Sequence, residues 1–314
     1  MIEASLYPIP VRRNLGIAAA LVTLFVAIML TAARADAAWQ VALLAAAFAI
    51  VGNSIYAVMH EAQHGMLHPN RRINDTLGAG LAVLFPAPYH LMRQGHLGHH
   101  RRNRSDDEAF DCYFEGDRPW LKRLILYGII TGFYWILVAC SNILVLVVPF
   151  LFTKRYFEFD RPSAAFMEAL DPRLFRLIQL EGAMAIAFHV AFVWWLGISP
   201  LVYAAVYFGF GFSWSAMQYV HHYGTERHVI DGARNLRFIQ WIDMVWLNHN
   251  WHLVHHQRPN VPWVYLPSLG ADAAAPRESL VWHYLQMWRG PRLTATRLPA
   301  PTAATAPAAA PRHE

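Results

Sequence analysis

The stretch AWQVALLAAAFAIVGNSIYAVMHEAQH, residues 38–64, decides the fold class. Residues 38–59 carry no charged side chain. At roughly 1.5 Å per residue they are long enough to cross the roughly 30 Å hydrocarbon core of a bilayer as a helix. The run then ends in His60-Glu-Ala-Gln-His64, whose two imidazoles stand one helical turn apart on one face. A membrane helix that delivers histidines to its end is the unit from which the rest of the chain is read.

Just before it, residues 15–33 form another apolar run, joined to the first by Arg34-Ala-Asp36. The pair reads as two spans rather than as a cleaved leader. Arg12 and Arg13 belong in the cytoplasm by the positive-inside rule, so the returning helix brings His60 and His64 to the cytoplasmic face. Residues 177–196 and 201–220 make a second hairpin across Gly197-Ile-Ser-Pro200. Residues 77–91, broken by Pro86 and Pro88, are too short to cross and are expected to be interfacial. The 29-residue apolar run 124–152 is flanked by Lys154, Arg155, Arg161, Arg173 and Arg176, which prefer the cytoplasm. A single crossing there would also strand the last histidines on the opposite face. The run is therefore expected to leave and return on one side, as a re-entrant or interfacial pair of helices bent near Ser141-Asn142. The expected fold is an all-α integral membrane protein with four transmembrane helices and a cytoplasmic histidine-rich cap of residues 60–123 and 221–290. Residues 1–290 form one domain, and 291–314, rich in Pro and Ala, a disordered tail.

Composition agrees: 56% hydrophobic and 15% charged residues are too apolar for an ordinary soluble enzyme. The formal charge of +5 comes from Arg and Lys flanking apolar runs, where they set topology and meet lipid head groups rather than nucleic acid. Cys112 and Cys140 have no metal-like spacing and imply no disulfide framework.

Histidine is the anomaly, with 17 in 314 residues. At that frequency a His-x-x-His-His string arises by chance roughly 0.05 times per chain. The sequence holds two, His96-Leu-Gly-His99-His100 and His252-Leu-Val-His255-His256. On a helix each presents two or three imidazoles to one side, a metal-ligand arrangement. These eight exceed what one tetrahedral ion takes, so two ions are the economical solution, with iron, copper and zinc all compatible. Gln218-Tyr-Val-His221-His222 offers a ninth donor; His222, one turn after Gln218, is favoured over His221, which points about 100° away.

The order His-x-x-x-His, His-x-x-His-His, lone His, His-x-x-His-His resembles the membrane-bound fatty acid desaturase and hydroxylase superfamily. So do Asp106 after the second box and the stretch from Asn248 through Trp263, which is also similar to carotenoid ketolases and hydroxylases. The resemblance covers roughly residues 40–270. It implies a non-haem diiron centre held by His60, His64, His96, His99, His100, His222, His252, His255 and His256. It implies further that Asn248 holds a water or a neighbouring ligand, that Glu61, Asp106 and Asp107 fix imidazole tautomers, and that O2 is a co-substrate. With no flavin, haem or ferredoxin signature in the chain, electrons are expected from a ferredoxin- or cytochrome-type donor with its reductase. The expected reaction is desaturation of a fatty acyl chain or similar lipid, with hydroxylation or ketolation of a carotenoid or other apolar molecule as the alternative.

Other features have plainer readings. His68, His90, His189, His249 and His283 are expected to be interfacial or supporting residues, and the Trp residues an interface belt. His228 stands closer to even between such a role and direct ligation, because Thr225-Glu-Arg-His228 is expected over the site. Glu181, inside a span, calls for an internal partner or a cavity. The Arg101-Arg-Asn-Arg104 run is a solvated surface able to receive an acidic donor. Outside the oxygen-activating class stand a zinc-dependent membrane hydrolase and a non-enzymatic metal binder. Metal analysis separates them.

Overall fold

The structure is a computed structural model and describes residues 6–273 and 276–299. It is mostly helical. Helices α1 (Val11–Ala32) and α2 (Ala38–Gln63) form the first hairpin, and α3 (Arg71–Leu84) and α4 (Tyr89–Arg102) follow. Next come α5 (Pro119–Ile130), α6 (Phe133–Val147) and the short α7 (Arg161–Glu168), then α8 (Phe175–Leu196) and α9 (Pro200–Met217). The last part holds the short helices α10 (Gln240–Val245), α11 (His252–Gln257), α12 (Leu266–Asp272) and α13 (Leu280–Met287). Two small parallel pairings tie loops together: β1 (Cys112–Tyr113) with β4 (Arg292–Leu293), and β2 (Asn235–Arg237) with β3 (Arg277–Ser279).

Three helical segments are long and apolar enough to cross a membrane: Val11–Ala32, Ala38–Gln63 and Pro172–Leu196. A fourth crossing exists by length only if α5 and α6 count as one, and these two are bent by 87°. Helix α9 follows the turn at Gly197, which has φ +60°, but its aromatic, Gly and Ser content leaves it outside that set. The break in residues 124–152 is displaced from its expected place. It falls at Thr131-Gly132, where Gly132 takes φ +94° and a Cβ would lie 3.2 Å from the Phe212 Cα. Ser141 and Asn142 sit inside α6 instead, and Asn142 Nδ2 donates to the Pro86 carbonyl at 2.7 Å.

That last bond belongs to a set. The proline-broken turn between α3 and α4 leaves carbonyls that no helix satisfies. Three other helices supply donors: Asn142 of α6 to Pro86, His189 Nε2 of α8 to Val83 at 2.8 Å, and Tyr207 of α9 to Leu84 at 3.0 Å. His189 is thus a supporting residue, and Tyr203 meets its other ring nitrogen at 2.6 Å. The main core lies around this turn, where Phe25, Phe48, Phe85, Phe210 and Trp214 are buried together.

The tail reading changes as well. Residues 291–299 pack on the chain through β4, through Asp106, whose N–H donates to the Leu298 carbonyl while its Oδ1 accepts from Leu298 N, and through Arg297 over the Phe114 ring. Residues 300–314 lie outside the described residues.

Candidate metal centre

Identifiable contacts place the first two boxes. Helix α2 ends at His64, and Gly65 at φ +76° turns the chain; Gly65 N–H bonds the Ala62 carbonyl and Met66 N–H the Glu61 carbonyl, closing the helix end. Asn14 of α1 pins the next residues by donating to the carbonyls of Met66 and Leu67, both at 3.1 Å. Helix α4 has no capping side chain of its own. Glu181 of α8 caps it instead, accepting from His90 N at 3.0 Å and meeting His90 Nδ1 at 2.6 Å. The carboxylate on this candidate span therefore has its partner, and His90 supports rather than faces the boxes.

The nine imidazoles fall into two groups, the ligand atoms in each within 4.8 Å of one another: His60, His64, His96, His100 and His255, then His99, His222, His252 and His256. In the first, Nε2–Nε2 separations are 2.7 Å for His64–His96, 3.1 Å for His96–His100 and 3.0 Å for His100–His255. The second gives 3.3 Å for His99–His256, 3.2 Å for His252–His256 and 3.0 Å for His222–His252. Two nitrogens at right angles around one ion, each roughly 2.1 Å from it, lie about 3.0 Å apart. The spacing is that of a coordination shell.

The triplets divide in a way that helical facing alone did not reveal. Each i, i+4 pair stays together while the middle histidine enters the other group. Helix α4 gives His96 and His100 to the first and His99 to the second; α11 gives His252 and His256 to the second and His255 to the first. His222, the favoured alternative, joins the second group, whereas His221 Nε2 meets Asn250 Oδ1 at 3.1 Å.

Electrostatics keeps the rings in ligating form. Burial first, then neighbouring imidazoles, hold His96, His100, His222, His252, His255 and His256 well below the ordinary histidine range. His64 falls to about 3 through burial and the Arg93 charge. Neutral imidazole is the metal-binding species. Buried His60 Nε2 has no hydrogen-bond partner, as expected of a nitrogen whose partner is an ion. The set fits two metal ions.

The distal nitrogens have few holders. Glu108 Oε1 lies 3.3 Å from His99 Nδ1; burial pushes this carboxyl up, but His99 and Arg102 outweigh it and hold it below its usual range. His222 Nδ1 meets the Gly232 carbonyl at 2.9 Å. Glu61 stands 3.9 Å from its neighbour His60 Nδ1 and accepts from Trp263 N at 3.1 Å. Asp106 does not serve an imidazole: it pairs with Arg227 at 2.5 Å and lies 3.7 Å from Arg161 and from Arg297. Nor does Asn248 face the groups; its amide donates to the Trp263 carbonyl at 3.4 Å. Its neighbour His249 is the ring beside the site, 4.9 Å from His60 and 5.0 Å from His252 between centroids, with burial lowering it to about 4. His249 thus has the supporting place expected of it, whereas Glu108 has no signal in the sequence beyond closing a charge run. The spacing of Glu108, nine residues after His99, carries no helical signature. His283 bonds Glu278 and Arg234, and His228 pairs with Asp231 at an exposed turn away from both groups.

Three candidate membrane-spanning helices, with two all-histidine groups able to hold metal ions at the end of one of them, define the class to which the chain is compared. A profile of the fatty acid desaturase family matches residues 37–300, so the chain belongs to that family, a diiron oxidoreductase class. No curated protein matches the chain.

Proposed function

We propose that the protein is an O2-dependent diiron desaturase that introduces a double bond into a fatty acyl chain or similar lipid. The observation carrying this reading is the pair of interleaved imidazole groups. His60, His64, His96, His100 and His255 would hold one iron and His99, His222, His252 and His256 the other. Bound iron supplies the reduction of O2 and the removal of hydrogen from an unactivated C–H bond. The chain's own residues hold neutral imidazoles in place: Glu108 keeps a proton on His99 Nδ1 and Gly232 one on His222 Nδ1, which leaves each Nε2 free. The surrounding apolar core excludes water from the reacting carbon.

In this reading α1, α2, α8 and α9 are the four spans and the bent α5–α6 pair is re-entrant. Arg12 and Arg13 set the histidine-rich side in the cytoplasm, where a separate ferredoxin- or cytochrome-type carrier delivers two electrons. The purified protein is expected to hold two irons per chain. It should convert a lipid substrate with loss of two mass units, dependent on O2 and reductant. A gain of sixteen instead assigns hydroxylation, and zinc with no need for O2 overturns the oxygenase reading.

A further inference from the structure

Between the lone histidine and the third box, the chain runs Phe238-Ile-Gln-Trp-Ile-Asp-Met-Val-Trp246. Trp246 Nε1 donates to the carbonyl of Ile50 at 3.2 Å. Ile50 lies ten residues before His60 on α2, about 15 Å down the helix. It is near the midpoint of a helix of membrane-crossing length, so this loop of the cap descends alongside a span. Its side chains suit that depth. Phe238, Ile239, Trp241, Met244 and Val245 are all exposed, with Met244 at 60%. The single charged residue from 238 to 250, Asp243, is buried and satisfied by Asn250 and Arg277, each at 2.5 Å. Such a segment in water would be an unexplained apolar patch; in a bilayer it is ordinary lipid-facing surface.

The inner side of the segment faces the site. Trp246 lines a pocket with Asn53, Tyr56 and His249, and an adjoining pocket, sharing Ala57 and His249, reaches His60 and His255. We infer that Phe238–Trp246 dips into the bilayer beside α2 and walls a lateral access path, so that the substrate arrives as a bilayer-resident lipid and not on a water-soluble thioester carrier. The substrate class rests on the function proposed above; the depth of the segment does not.

Two measurements separate these. In full-length protein with Cys112→Ser and Cys140→Ser, nitroxide labels are placed at Met244→Cys, at Leu43→Cys on exposed α2 surface, and at Glu226→Cys on the cap. In vesicles the Met244 label should be relaxed by O2 in preference to a water-soluble nickel chelate, as at Leu43 and opposite to Glu226. A Met244 label that behaves as the Glu226 label does overturns the placement, whatever the enzyme turns over. In iron-loaded proteoliposomes with an electron donor, phospholipid-borne acyl chains should be converted. Met244→Lys should lower kcat/KM for them at least tenfold with iron content unchanged. Preferential conversion of an added soluble acyl thioester, unaffected by Met244→Lys, overturns lateral access.

Discussion

His100 and His255, 155 residues apart in the chain, bring their Nε2 atoms to 3.0 Å. Each also belongs to a helix that serves the other group, through His99 and through His252 and His256. The two groups therefore share their scaffolds, α4 and α11. His100→Ala and His255→Ala are each expected to abolish turnover and to reduce iron below the one ion per chain that independent sites would leave. The same holds for His96→Ala. His283→Ala, whose ring serves Glu278 and Arg234, should change neither iron content nor turnover. Elemental analysis beside product assay reads both.

The spacing of the boxes made the nine imidazoles legible, because i, i+4 pairs must share a helix face. It could not show how α4 and α11 would cross, and that crossing decides which group the middle histidine enters. The bend in the apolar run 124–152 was legible in kind, through the demand that all boxes meet, but not in place. Polar Ser141 and Asn142 read as the weak point, whereas the turn forms at Gly132, a residue without the Cβ that opposes a left-handed backbone. Contacts across long separations, such as Glu181 with His90 and Trp246 with Ile50, leave no periodic trace at all.

Glu108 is the carboxylate that fixes a ligand's far nitrogen. Glu108→Gln should weaken metal affinity roughly 10–100-fold, the usual cost of losing such a support. The deficit should appear as a rightward shift in iron titration of the metal-free protein. Asp106→Asn, by contrast, loosens the Arg227 pairing and should leave that titration within about threefold.

Acid should unfold the metal-free protein through its buried imidazoles. His64 and His221 are lowered to about 3 and His249 to about 4 by burial. The unfolded chain, with ordinary histidines near 6.5, binds more protons than the fold between about pH 6.5 and 3. Stability is thus intact above the unfolded value and falls as pH drops through that window. Thermal midpoints of chelator-treated protein should decline from pH 7 to pH 5, and iron should flatten the decline by competing with protons.

Glu181 caps α4 from a neighbouring membrane helix, so its loss leaves the His90 N–H and ring without partners inside the apolar bundle. Glu181→Leu should cost about 1–3 kcal/mol and lower iron loading, because α4 carries three box histidines. Glu181→Gln retains an acceptor for the backbone N–H and should restore most of the loading. Thermal unfolding in detergent with parallel metal analysis distinguishes the two variants.

Gly132 sits at the 87° break between α5 and α6 with φ +94°. A side chain there meets two separate penalties: the left-handed backbone, roughly 1–2 kcal/mol for an L-residue, and the Phe212 Cα at 3.2 Å. Gly132→Ala should therefore lower the thermal midpoint. Gly128, one turn earlier within α5, offers a control, since its added Cβ would meet Phe133 Cβ at an ordinary 3.8 Å. Gly128→Ala should be neutral or stabilising by up to about 1 kcal/mol, as expected for replacing glycine inside a helix. A Gly132→Ala variant as stable as Gly128→Ala would mean that the junction of α5 and α6 does not need the left-handed backbone at this position.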